Sequence, residues 1–439
     1  MSYFQAPYSP YDATDKSGYR TVLNQRWPII LTSVIDNIHC TNPVPTQNVN
    51  DSLTVDADNL DGDAKERAAE GKRLLELVNK LKREIRWDGP LVQLPDDDEP
   101  GVKDYNYELR KLAEEEKGTW FTAPWLFAEY RLLRAWFAQT KQWRDHDPFL
   151  VSKEESFKGN ADAVFELASM MHNLEARKDE LDGDPGKIGI FVGDGFHAER
   201  KEFLLRDDSD AVWSHLTTMT DGRVDFILDN YLVFADFLVT YTPYVSKVVF
   251  HPKAIPWFVS DVTPPDFKRI FSSILSPSFH PPPSQIAPIT NSPSDLNHMV
   301  TRWQTHLSTG AFSLSVSPDT TLGVSNPKTD FWTAPHPYWD MKLRAADLFE
   351  ELSGSGLVIF KVNLFFEWLT GDVRWPVSTP FETAIGPLSG AFPILSLRTI
   401  KVDVVVGIDQ AKADALDASG EKWRVIGKYA LVSFCPRAA

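Results

Sequence analysis

Two cysteines, Cys40 and Cys435, are all that the 439 residues contain. So few exclude a disulfide framework and a cysteine-rich zinc site. Long hydrophobic runs are also missing, and no apolar stretch reaches the roughly 20 residues that span a bilayer. The opening MSYFQAPYSPYDATDK has neither the basic nor the apolar region of a signal peptide. Positive charge is scarce: 45 Lys and Arg stand against 61 Asp and Glu, for a net charge of −16. That balance excludes the basic footprint of a general nucleic-acid binder. It leaves room for a small anionic ligand, because a metal ion and a few local cations can dominate one pocket. The expectation is a soluble cytoplasmic protein with no membrane span and a small-molecule partner.

Aromatic residues are abundant, with 14 Trp and 27 Phe, and 43% of the chain is hydrophobic. A core of substantial size follows. Residues 1–25 read as a polar, Tyr-rich arm. Helical patterns cover 27–39, 63–85, 122–142 and 160–181, where apolar residues recur at helical spacing. The stretches 42–61 and 93–105 read as polar connections. After residue 210, strand-like runs at 224–228, 247–250, 357–361 and 401–406 alternate with helical ones. Alternation of that kind predicts an α/β fold, a three-layer α/β/α sandwich over 211–439, preceded by a mainly helical subdomain over 26–210. The Pro- and Ser-rich stretch 272–300 reads as a long irregular loop, a candidate lid.

Two apolar runs end in oxygen-bearing residues. The first, Val224 to Leu228, stops at Asp229-Asn230; the second, from Val248 through Val259, stops at Ser260-Asp261. Open α/β sheets place their chemistry just beyond the carboxyl ends of such strands. Hard oxygen donors of this type suit Mg²⁺ or Mn²⁺ rather than zinc. The plainer alternative is that Asp229-Asn230 turns the chain and Asp261 caps the next helix.

Several spaced words, in one order along the chain, resemble the metal-dependent damage-control phosphatases of the Arg-Thr-x-Lys branch. They are Trp125-Leu-Phe-Ala-Glu129 with Arg134, Asp229-Asn230, Lys253-Ala-Ile-Pro-Trp-Phe-Val-Ser-Asp261, Phe331-Trp-Thr-Ala-Pro-His336, Leu369-Thr-Gly-Asp372, Arg398-Thr-Ile-Lys401 and Gly427-Lys-Tyr429. The resemblance implies that Asp229, Asn230 and Asp261 hold a divalent metal and that Lys401 meets substrate phosphate. Lys253, Lys361 and Arg398 are candidates to share that anionic end.

Departures from the family pattern are as telling. The family's glutamate position after Asp-Asn is Phe234. Its Lys-Gly-Asp-Leu-Asn-Tyr-Arg stretch is Lys361-Val-Asn-Leu-Phe-Phe-Glu367, so that Asn363, Phe365 and Glu367 replace an acid, an asparagine and an arginine. Phe234, Phe365 and Phe366 then predict a greasy wall opposite a metal and cations. A prenyl diphosphate has that shape, since a metal stabilises departing diphosphate and aromatic faces stabilise a carbocation. The chain therefore reads first as an atypical Mg²⁺-dependent sesquiterpene cyclase, a lyase acting on farnesyl diphosphate. In lacking an Asp-Asp-x-x-Asp helix motif it is similar to the fungal humulene-type cyclases, with Lys253 as the candidate essential lysine. A metal-dependent phosphatase of sugar phosphates or related metabolites is the second reading, and a non-catalytic phosphate-ligand-binding protein the third.

Overall fold

In the computed structural model the residues described are 3–14, 18–42, 62–96, 100–138, 140–176, 201–227, 232–279, 293–361 and 363–438, the side chains of 100, 132, 133, 138 and 363–365 excepted. The N-terminal part is helical: α1 Trp27–Thr41, α2 Gly62–Arg86, α3 Pro100–Glu114, α4 Trp125–Ala138, α5 Leu150–Gly159 and α6 Ala161–Ala176. A π-helical turn, Val22–Arg26, leads into α1. The apolar stripe of α2 is buried as its spacing requires, through Leu74, Val78, Leu81 and Ile85. The stretch expected to be loop over 93–105 instead becomes α3 from Pro100. Proline is well placed in a first helical turn, and Val102, Tyr105 and Leu109 turn one face inward.

Beyond residue 200 strands and helices alternate: β1 Leu204–Asp207, α7 Ser209–Leu216, β2 Gly222–Ile227, α8 Leu232–Tyr241, β3 Val245–His251, α9 Pro264–Leu275, α10 Pro293–Thr309, β4 Phe312–Leu314, α11 Ala346–Ser353, β5 Leu357–Lys361, α12 Asn363–Thr370, β6 Ile394–Thr399, α13 Gln410–Ala418 and β7 Ala430–Cys435. The seven strands form one sheet in the order β1-β7-β6-β5-β2-β3-β4. Strands β2 to β6 run parallel, while β7 pairs antiparallel with β6 and parallel with β1. Side chains alternate across this sheet. Leu357 and Ile359 join one apolar cluster with Val224, Phe226, Val248 and Phe250, whereas Val358 and Phe360 join another with Ile227 and Ile394. Each face is thus covered, the first by α6 to α10 and the second by α11, α12 and the N-terminal helices. The fold is a three-layer α/β/α sandwich with a helical N-terminal region.

The run 401–406 forms no strand. It is a turn between Lys401 and Gly407 whose Val402, Val404, Val405 and Val406 are buried. The strand beside β5 is β6, seven residues upstream of that run. Similarly, Ile255 to Val259 does not extend β3 but coils into the turn that leads to α9. The loop expected over 272–300 is narrower among the described residues, with α9 reaching Leu275 and α10 starting at Pro293.

Candidate active site

The carboxyl ends of β2, β3, β5 and β6 share one edge of the sheet, and β2 lies where the winding reverses, between β3 on one side and β5 on the other. That position is where open α/β sheets hold their ligands. The chain leaving β3 builds the best-ordered part of the edge. Lys253 donates its backbone N–H to the Val262 carbonyl at 3.0 Å, which closes residues 253–262 into a loop. Inside it, the Lys253 ammonium lies 2.7 Å from Asp261 Oδ1. The backbone N–H groups of Trp257 and Phe258 donate to Asp261 Oδ2, each at 2.8 Å. Lys253 and Asp261 are both buried, so the carboxylate is oriented by one cation and two amides. The apolar run Ile255 to Val259 is the strap that aims those amides. Thr263, Pro264 and Asp266 then start α9 in a capping box, and Asp266 is anchored in turn by Lys153 at 2.6 Å.

A cleft of about 2030 Å³ includes this edge, and Asp261, Lys361 and Lys401 all line it. Lys361 ends β5 and Lys401 follows β6 by two residues. The stem of Lys401 lies against Gly427, whose φ of +73° suits glycine and where an added Cβ would stand 3.1 Å from Lys401 Cε. Ile400 holds the same strip, donating to the Tyr429 carbonyl at 2.7 Å and accepting from Gly427 N–H at 3.1 Å. Gly427 is a positioning residue that inspection of charged groups alone passes over.

Behind the cleft sits a group of buried acids. Glu129 of α4 lines the cleft, has the Trp27 side chain as a hydrogen-bond partner, and leaves Oε2 without a partner among the described residues. Burial, then the negative charge of Asp372, pushes its proton affinity well above the ordinary carboxyl value. Glu367 of α12 has neither oxygen satisfied among the described residues. Burial raises its proton affinity too, with Asp372 and Glu129 adding to the effect. Asp372 is likewise raised, first by burial, although Tyr19 donates to it. Its backbone is left-handed at φ 51°, next to Gly371 at φ 68°, where the Trp339 ring leaves no space for a Cβ. Burial thus shifts all three toward the protonated form.

A carboxyl of that kind binds more protons folded than unfolded once pH exceeds its ordinary value near 4.3. Its contribution to stability is full below that pH and is lost as pH rises toward the folded value, by up to about 1.4 kcal/mol per pH unit per group. Glu367→Gln removes one such group without changing shape. The stability of the variant relative to the parent should rise as pH increases above the ordinary carboxyl value, as read by urea unfolding at a series of pH values. A difference independent of pH would show that Glu367 does not titrate in this way.

The structure separates the residues singled out in the sequence. Asp261, Lys361, Lys401 and Phe234 share the cleft, and Lys253 is bound to Asp261. Asp229, Asn230 and the side chains of Asn363 and Phe365 lie outside the described residues. Arg398 is buried, donates to the Val404 carbonyl and to the Val402 carbonyl at 3.3 Å, and lies 4.3 Å above the Phe366 ring. It holds the turn after Lys401 from behind. Phe366 is fully buried and stacks on Phe381 at 5.9 Å; it is a core residue, not a wall of the cleft.

A parallel sheet flanked by helices, with a cleft at its carboxyl edge, defines the structural class. Within it, the chain belongs to the family of the damage-control phosphatase ARMT1-like domain, whose family model matches residues 22–183 and 188–416. The damage-control phosphatase ARMT1 of Danio rerio is 28% identical, with 95% of this chain and 94% of the relative aligned. Its counterparts in Mus musculus and Homo sapiens are 28% and 26% identical, over 94% of this chain in each case. The near-complete coverage corrects the cyclase reading: the family model and these relatives are damage-control phosphatases, matched over most of both chains, and neither is a lyase or sesquiterpene synthase. Two premises of that reading fail physically. Phe366 packs into the core, and a buried carboxyl, Glu129, does line the cleft although Phe234 occupies the family's glutamate position.

Proposed function

We propose that this protein is a metal-dependent phosphatase that hydrolyses the phosphate ester of a small metabolite, such as a sugar phosphate. The observation that carries the reading is the fixed Asp261 carboxylate sharing one cleft with Lys361 and Lys401. The donor chemistry fits a hard divalent cation such as Mg²⁺ or Mn²⁺. Asp261 Oδ1 already meets Lys253, and an ionised carboxylate oxygen accepts more than one partner. Among the described residues no three His, Cys, Asp or Glu side chains gather as a cage, so Asp229 and Asn230 are the proposed remaining donors. Such an ion supplies Lewis-acid polarisation of a phosphoryl oxygen. Lys401, braced by Gly427, and Lys361 bind the other phosphate oxygens as point charges. Lys253 fixes the direction of Asp261.

The reaction needs no group beyond water: the water oxygen bonds to phosphorus, the ester P–O bond breaks, and alcohol and inorganic phosphate leave. Purified protein should release inorganic phosphate from members of a phosphate-ester panel with Mg²⁺, Mn²⁺ or Co²⁺, and EDTA should stop it. Silence across the whole panel with all three metals would sink the proposal.

A further inference from the structure

We propose that Glu129 is the proton donor to the departing alcohol oxygen, a role that rests on the phosphatase reading above. Phosphate-ester cleavage places growing negative charge on the bridging oxygen, and a positioned acid relieves it. Three observations converge on Glu129. It lines the same cleft as Asp261, Lys361 and Lys401, although it comes from α4 in the helical region. It is buried, yet Oε2 has no partner among the described residues. A buried polar oxygen without a partner is costly, and a ligand in the cleft would satisfy it. Finally, the Trp27 side chain lies near enough to favour the ionised form of the same carboxyl, and both residues line the cleft.

The charged groups acting on it come from several elements: Asp372 after α12, Asp261 and Lys253 from the loop after β3, and Glu367 on α12. Asp372 and Glu367 are buried acids, and negative charge on either makes it harder for Glu129 to ionise. Other carboxyls line the cleft. Asp266 is tied to Lys153 and to Thr263, Asp261 already meets Lys253 and two amides, and Glu154 and Asp210 are exposed, so that none of them is a buried acid with an unpartnered oxygen. In the step proposed, the bridging oxygen takes the Glu129 proton as the P–O bond breaks. The attacking water keeps one hydrogen on the phosphate product and returns the other to Glu129, so protons balance over one turnover.

An acid of this kind matters most when the leaving group is poor. The test compares wild type with Glu129→Gln on ethyl, phenyl and 4-nitrophenyl phosphate. The loss in kcat/KM should be about 10²-fold or more for ethyl phosphate, smaller for phenyl phosphate and least for 4-nitrophenyl phosphate, whose phenolate leaves without a proton. Glu129→Asp, which keeps a donor, should be slower than wild type yet depend on the leaving group as wild type does. An equal loss on all three esters, or no loss, would overturn the assignment and leave Glu129 a structural residue. A wild-type enzyme releasing phosphate from none of them, nor from the wider panel, would instead remove the phosphatase reading itself.

Discussion

Asp261→Ala will abolish phosphate release and also weaken the fold, because the side chain serves both the chemistry and the loop that holds it. Oδ2 satisfies the N–H groups of Trp257 and Phe258, and Oδ1 neutralises a buried Lys253. Truncation leaves two amides and a buried ammonium without that partner. Breaking a buried ion pair from one side costs about 3–5 kcal/mol. The activity loss should reach at least about 10³-fold, the upper range for removing one pre-organised electrostatic group. The double variant Lys253→Met/Asp261→Ala removes the stranded charge and should recover part of the stability in urea unfolding. It should recover none of the activity. If single and double variants were equally unstable, the pair would not be the feature that holds the loop.

Arg398→Ala is expected to be the second large effect, and it reports on structure more than on binding. The guanidinium ties down the Val402 and Val404 carbonyls, stacks on Phe366 and is a cation near both Glu367 and Asp372. Its own proton affinity is lowered by burial, against the pull of those acids. Removing two charge-assisted hydrogen bonds should cost about 3 kcal/mol or more. KM should rise as well, because the turn begins at Lys401. Arg398→Lys should rescue little, since an ammonium cannot reproduce a planar fork reaching two carbonyls and a ring face. An Arg398 that bound substrate directly would instead give normal stability with impaired turnover, and that result would contradict the placement.

Much of the fold could be read in advance because the central strands are buried on both faces. β5 shows as an almost continuous apolar run, and β2 and β3 as short apolar runs with few polar breaks, for that reason. The outer strands are harder: β4 has three residues, β1 has four, and β6 carries Ser396 and Arg398 within Ile394–Thr399. The stretch 402–406 misled because its valines are core residues on a turn. Hydrophobicity reports burial there, not backbone conformation, and the turn is fixed by Arg398 from a distance no local pattern reveals. The same reasoning covers Ile255 to Val259, apolar because it wraps a buried ion pair.

Three of the proposed site residues could be picked out from where apolar runs stop: Lys361 ends β5, Lys401 follows β6, Asp261 closes the loop after β3, and all three line one cleft. The site was obscured where a residue type has two uses. Phe366 looked like a pocket wall and is core, whereas Glu129 showed only as part of a family word and lines the cleft. One signal was available for the buried acids. Glu367 is the lone charge in the apolar helix NLFFEWLT, and a charge at such a place is either paired or protonated.

The most direct test of the account is hydrolysis of a turned-over phosphate ester in H₂¹⁸O, with both products analysed by mass spectrometry. Attack of water on phosphorus predicts one solvent oxygen in each inorganic phosphate and none in the alcohol. Label in the alcohol would mean that the carbon–oxygen bond breaks, and it would contradict a phosphatase at this site.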